Sequence, residues 1–201
     1  MFSDLTTELQ NFTETSKQFI PPMLMVIGGL WAFNLLNWAT GSRLTKLGIR
    51  PRKIRGLIGI IFAPFLHADF SHLLFNTVPL FFLGLFVMSM DLMKFFWATL
   101  IINLIAGLGV WIVARRGNHI GASALIAGYF GYILASAYKQ PTITTIFCAA
   151  IALYYFGSIL FSLFPTQKGT SWEGHLCGFI GGLAAFLICQ YYGDWLNQLI
   201  A

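Results

Sequence analysis

Residues 119–137 read HIGASALIAGYFGYILASA. The run is apolar enough to enter lipid, yet it opens on a Gly-Ala-Ser turn, and Ser123, Ala127, Gly131 and Ala135 recur four residues apart. In a helix that spacing lines one face. A face of small residues lets two helix backbones approach closely in lipid, where van der Waals contact replaces the hydrophobic drive. The stretch therefore predicts a membrane helix with a hydroxyl at its start and a partner helix against its small face.

The rest of the chain supports a membrane setting. Of 201 residues, 57% are hydrophobic, 16% aromatic and only 9% charged, with a mean hydropathy of +0.74. Too little polar surface remains to cover a soluble domain. A span needs roughly 20 apolar residues, and six runs qualify, near 20–39, 72–90, 93–114, 122–138, 142–164 and 173–192. They predict an all-α bundle of six transmembrane helices. A polar segment, 1–19, precedes the six-span unit at 20–192, and a tail, 193–201, follows it. Residues 1–19 lack a basic start, so the first run is expected to be retained and not cleaved as a signal peptide. Between the first two runs, GLIGIIFAPFL (56–66) is too short to cross and carries two glycines and a proline. It predicts a re-entrant or interfacial element in a long, partly membrane-embedded connection.

Half of the 12 Lys and Arg, namely Arg43, Lys46, Arg50, Arg52, Lys53 and Arg55, crowd into that connection. Beside an apolar span such a cluster reads as contact with lipid headgroups, not with nucleic acid. Cys148, Cys177 and Cys189 fall inside apolar runs with no CxxC pair, which predicts core packing and neither a disulfide framework nor a metal site.

Hydrocarbon excludes polar side chains unless they work, so those that remain carry the functional reading. His72 and Asn76 start the second span one turn apart, Ser123 starts the fourth, and His175 starts the sixth. Alternate spans run in the same direction, so these three helix starts lie on one side of the membrane. Gly174, Gly178 and Gly182 form a small-residue row beside His175, and if that row meets the one containing Gly131, Ser123 and His175 become partners. A serine beside a neutral imidazole is the minimum for nucleophilic acyl transfer. Glu173 would point away from His175 on a helix, so a dyad is expected in place of a triad. The Ser123 amide and the side chains of His72 and Asn76 are the candidate oxyanion donors, with Gly121 giving backbone and substrate room to approach. His67 and His119 read as polar loop residues at the membrane surface.

Taken together, HADFSHLLFN (67–76), GAS (121–123) and GHLCGFIGG (174–182) in six spans of this size resemble the rhomboid family of intramembrane serine proteases. The resemblance implies a nucleophile at Ser123, a general base at His175, oxyanion contacts from His72 and Asn76, and close packing at Gly178 and Gly182. It also implies no metal or organic cofactor, and substrates that are membrane-anchored proteins cleaved in or near a transmembrane segment. The expected setting is a bacterial inner membrane. The chain departs from the family pattern at Ala124, where glycine is usual, and at Ala127, where an aromatic often packs beneath the base, leaving Phe130 or Phe179 to fill in. The Trp-Arg pair common in the long first loop is absent. Nine Lys and Arg fall in the connections on the side of the candidate site, against Lys17, Lys94 and Lys139 opposite. The positive-inside rule alone would put that side in the cytoplasm; the resemblance implies the reverse. The alternative to a protease is a catalytically inactive relative that binds transmembrane helices as an adaptor or quality-control factor.

Overall fold

A computed structural model describes residues 2–165 and 171–199. Its helices are α1 (Phe2–Ala39), α2 (Gly59–Phe62), α3 (Phe70–Met90), α4 (Leu92–Val113), α5 (Ser123–Lys139), α6 (Ile143–Phe156), α7 (Ile159–Ser162) and α8 (Trp172–Gln198), with three short 3-10 turns between α1 and α3. Among the described residues the one β pairing outside the helices is an isolated bridge between Ile49 and His119. Four helices among the described residues are long and apolar enough to cross a membrane: α1, α3, α4 and α8. Large apolar side chains such as Met25, Phe75, Val113 and Phe161 stand exposed around the bundle. Water would not tolerate so much exposed apolar surface, and lipid does. The chain is an integral membrane protein.

Helix α5 occupies the centre, packed most extensively on α8 and also touching α3, α4 and α6. Phe130 and Ile133 at its middle are fully buried, and Tyr129 meets the Thr99 hydroxyl at 2.6 Å. The small-residue rows do meet, but one residue out of the expected register. A Cβ on Gly178 would collide with the Ala124 carbonyl, and one on Gly182 with the Gly128 carbonyl. The row on α5 that faces α8 is thus Ala124–Gly128, about 100° around the helix from Ser123 and Ala127. The reason is steric: a face pressed against another backbone cannot also open onto a cavity, and Ser123 and Ala127 line one. Gly131 meets the neighbouring part of α8, where its Cβ would stand 2.7 Å from the Phe179 carbonyl.

Three expected boundaries differ. Residues 2–19 continue α1 through Pro21 and Pro22, because this segment is docked: Phe12 is buried against Phe86, and Glu8 Oε1 accepts from the Thr144 amide at 3.1 Å. The run at 142–164 breaks after Phe156, where Gly157 caps α6 and the short α7 follows. Helix α8 passes residue 192 and reaches Gln198, since Leu196 is buried and Trp97 donates its indole N–H to Asn197 at 3.2 Å. Of the expected connection at 165–171, residues 166–170 lie outside the described residues, as do Met1 and the last two residues of the tail.

The connection 40–69 is strapped down by buried polar groups. Asn34, with no exposed surface, donates to the Leu30 and Phe65 carbonyls and accepts from the His67 amide at 2.8, 2.9 and 2.9 Å. Asn103 on α4 donates to the Ile60 carbonyl at 2.7 Å. These bonds satisfy irregular backbone that would otherwise be buried without partners.

Candidate active site

Capping sets where the polar residues start. Asp69 caps α3 by accepting from the His72 amide at 2.8 Å, which holds His72 in the first turn and Asn76 one turn deeper. Ser171 caps α8 by accepting from the Gly174 amide at 3.3 Å, next to His175. Helix α5 has no side-chain cap. Its first amides, that of Ser123 among them, are therefore the kind of unspent donors that gather at helix N-termini.

Ser123, His175, His72 and Asn76 all line one open cavity of about 750 Å³ with a polar rim. Three of them, Ser123, His175 and Asn76, also line an adjoining cleft of about 640 Å³ whose other walls are mostly apolar, including Leu74, Phe75, Val78 and Ile126. The polar residues thus stand between a chamber lined largely by polar side chains and an apolar slot.

The His175 ring is oriented by backbone. Its Nδ1–H donates to the Ser162 carbonyl of α7 at 3.3 Å, which leaves Nε2 as the lone-pair nitrogen. Neither Phe130 nor Phe179 stacks on it among the described ring contacts; those two rings pack on each other at 6.4 Å. Asn76 is 7% exposed, and its Nδ2 is buried with no hydrogen-bond partner among the described residues. A buried donor left unpaired costs about 1–3 kcal/mol. Gly121 has φ +117°, a conformation that disfavours any side chain, and a Cβ there would sit 2.7 Å from His72 Nε2. Its own amide is spent on the Ala63 carbonyl at 2.9 Å. Gly121 therefore contributes space and not a donor.

Of the two histidines expected as polar loop residues at the surface, His67 is buried instead, while His119 stays part-exposed in its loop. His67 has no exposed surface, accepts from the Ala122 amide through Nε2 at 3.4 Å, and meets the His72 ring edge-on at 5.0 Å. Burial, then the nearby His72, holds its imidazole down to about 4. It thereby ties the turn before Ser123 to the strapped connection. His119 joins Ile49 in the β bridge through two 2.9 Å backbone bonds. Its Nε2–H donates to the Arg115 carbonyl at 2.9 Å, and its Nδ1 accepts from the Ser171 hydroxyl at 2.8 Å.

Glu173 turns away from His175 and is nearly fully buried against Arg115, whose Nε–H donates to it at 2.7 Å. That bond, more than the charge itself, holds the Arg115 guanidinium above its ordinary range. The pair joins the end of α4 to the start of α8, so the carboxylate fixes the helix that carries His175 without touching its ring. The spacing of His67 from His72 was a signal available in the sequence; a main-chain carbonyl such as that of Ser162 leaves none. Among the described residues no group of three or more His, Cys, Asp or Glu is arranged to hold a metal.

A family model described as the Rhomboid domain matches residues 55–192. Uncharacterized proteins of Mycobacterium tuberculosis and Mycobacterium bovis are each 39% identical over 176 residues, which cover 83% of this chain and 73% of theirs. An uncharacterized protein of Mycobacterium leprae is 35% identical over 170 residues, 79% of this chain and 67% of its own.

Proposed function

Since this chain belongs to the rhomboid family, we propose that it is an intramembrane serine endopeptidase with a Ser123–His175 dyad, acting on membrane-anchored proteins in or near their transmembrane segments. The observation that carries the reading is the unpaired Nδ2 of Asn76, buried on the wall of the cavity that Ser123 and His175 share. A donor kept dry and unbonded is what an oxyanion stabiliser is before substrate arrives.

The chemistry follows from the groups in place. His175 Nε2 takes the Ser123 proton as Oγ attacks a peptide carbonyl, and the charge moving onto the carbonyl oxygen is met by Asn76 Nδ2, the Ser123 amide and the His72 ring. The imidazolium then protonates the departing amine, and the acyl-serine is hydrolysed by water activated on the same nitrogen. No carboxylate stands behind the base. The Ser162 carbonyl, accepting from Nδ1–H, holds the ring and steadies its positive form. In this reading the open, polar-lined cavity admits the water that hydrolysis consumes, and the apolar cleft gives an unwound stretch of a membrane helix a route to Ser123.

The membrane reading completes the picture. We take α5 and α6 as the remaining two of six crossings, although they have 17 and 14 residues. At 1.5 Å per residue α5 spans about 25 Å, less than the roughly 30 Å hydrocarbon core. A helix walled by protein tolerates that deficit, and it places Ser123 below the membrane surface. The setting we propose is a bacterial inner membrane, with the cavity opening away from the cytoplasm.

The test is cleavage of single-span substrates in liposomes. Ser123→Ala and His175→Ala are each expected to abolish it to a similar residual level, with the double variant little worse, because a dyad acts as a unit. Thermal stability of each variant controls for folding. Cleavage surviving in Ser123→Ala would overturn the mechanism. Failure of the wild type to cleave a substrate panel or to react with a serine-directed probe would favour the helix-binding adaptor.

A further inference from the structure

We propose that the basic concavity formed by Arg50, Arg52, Lys53 and Arg116 binds a phosphodiester anion, the headgroup of an acidic phospholipid, on the rim of the catalytic cavity. These four cations, with Pro51 and Gly117, line a hollow of about 480 Å³. None of the ion pairs recorded among the described residues uses any of them. Four cationic residues gathered around one hollow repel one another unless an anion joins them.

The backbone beneath them is held in advance. The turn is closed by the Lys53 amide donating to the Arg50 carbonyl at 3.2 Å, with Pro51 and Arg52 at its corners. Arg52 takes φ +58°, where glycine or asparagine is the usual occupant. Glycine would make the same turn without strain, so the side chain is what this position gains. Three bonds to the end of α4 hold the turn: the Arg52 amide to the Trp111 carbonyl, Arg52 Nη1–H to the Ile112 carbonyl and the Trp111 indole to the Lys53 carbonyl, each 2.9 Å. Strain that the surroundings hold in place in this way clusters where ligands are clamped.

Neighbouring apolar groups select a lipid over a soluble anion. Ile54, directly after Lys53, is 85% exposed, and Ile58 and Ile61 continue an exposed apolar flank. Cations edged by bare aliphatic side chains match a molecule with a charged head and apolar tails. The hollow also shares Arg116 and Gly117 with the catalytic cavity, so a bound headgroup would form part of its wall.

The experiment uses the full chain in phosphatidylcholine nanodiscs doped with a headgroup-photoreactive phosphatidylglycerol, with the crosslinked peptides mapped. Labelling is expected on residues 50–55 and 115–117, competed by unlabelled phosphatidylglycerol and not by the same fraction of extra phosphatidylcholine. Lys53→Gln with Arg116→Gln is expected to weaken competition about thirtyfold, at about 1 kcal/mol per cation near a membrane surface, and Lys53→Arg with Arg116→Lys to restore it. The melting temperature of each variant in pure phosphatidylcholine controls for folding. Equal labelling by a photoreactive phosphatidylcholine, or undiminished labelling in the glutamine variant, would overturn the proposal. Protection by millimolar inorganic phosphate as strong as by phosphatidylglycerol would assign the hollow to a soluble anion and overturn the lipid. Labelling needs no cleavage by this chain itself, so its outcome is independent of the protease reading.

Discussion

Asn76 separates a working donor from structural glue at the scale of one residue. Were it glue between helices, Asn76→Ala would cost stability. Because its Nδ2 bonds to nothing among the described residues, the variant is expected to lose ~10²- to 10³-fold in turnover while its melting temperature stays near that of the wild type. A parallel fall in both would return Asn76 to a packing role. His67 gives the opposite kind of prediction, a stability effect set by pH. Its imidazole is held near 4 in the folded chain against an ordinary value near 6.5. Between those values the unfolded chain carries the proton and the folded chain does not, so stability falls as pH drops from about 6.5 toward 4 and levels off below. Melting curves across that range should show the decline in the wild type and a shallower one in His67→Gln; equal slopes would show that the ring titrates normally. The parity of helix starts made the convergence of His72, Asn76, Ser123 and His175 on one cavity legible in the sequence. His67 was misread because a histidine in a polar loop looks the same in sequence whether the loop folds inward or outward.

The contact between α5 and α8 decides the architecture at the scale of elements, and its tolerance is testable one methyl at a time. Gly178→Ala and Gly182→Ala drive a Cβ into carbonyls of the facing backbone, which has no rotamer with which to yield. Each is expected to destabilise by about 1–3 kcal/mol and to lower cleavage with it. Gly28→Ala and Gly29→Ala on α1 meet nothing within 4 Å and are expected to be neutral or slightly stabilising, from helix propensity alone. Thermal melts of the four variants in one detergent make the comparison; equal behaviour would mean that α5 and α8 do not touch as described. That small residues would pack was legible from their spacing. Which of two adjacent rows would pack was not, because four-residue periodicity marks both 123–127–131 and 124–128 and only the cavity distinguishes them. The end of α3 at Met90 was legible, whereas the break at Gly157 was passed over by the run 142–164, and the end of α8 was illegible because the contacts of Trp97 and Leu196 extend the helix.

Orientation is the question that remains at the scale of the whole molecule, because the charge count and the family point opposite ways. Gly117→Cys sits on the exposed rim of the cavity, and Lys139→Cys is exposed at the other end of α5. With the cavity opening away from the cytoplasm, a membrane-impermeant thiol reagent added to intact cells should label the first and not the second; the reverse pattern would vindicate the count of cations. The native Cys148 and Cys189 are buried, and Cys177, which is only half-buried, is replaced by alanine in both variants to keep the background low. The all-helical membrane class was plain from composition, whereas the strapping of 40–69 depends on pairings as distant as Asn103 with Ile60, which no local pattern encodes. One feature of this assembly reaches into biosynthesis. Helix α8 is synthesised after α4 and α5, yet it is the principal neighbour of both and carries His175. Until it inserts, the small-residue face of α5 lacks its partner, and on the proposed dyad Ser123 lacks its base, so a nascent chain short of α8 is expected to be inert among other newly inserted helices. Placing the proposed base on α8 is thus a safeguard in time: cleavage is expected only after the helices that carry His72, Asn76 and Ser123 are already in the membrane.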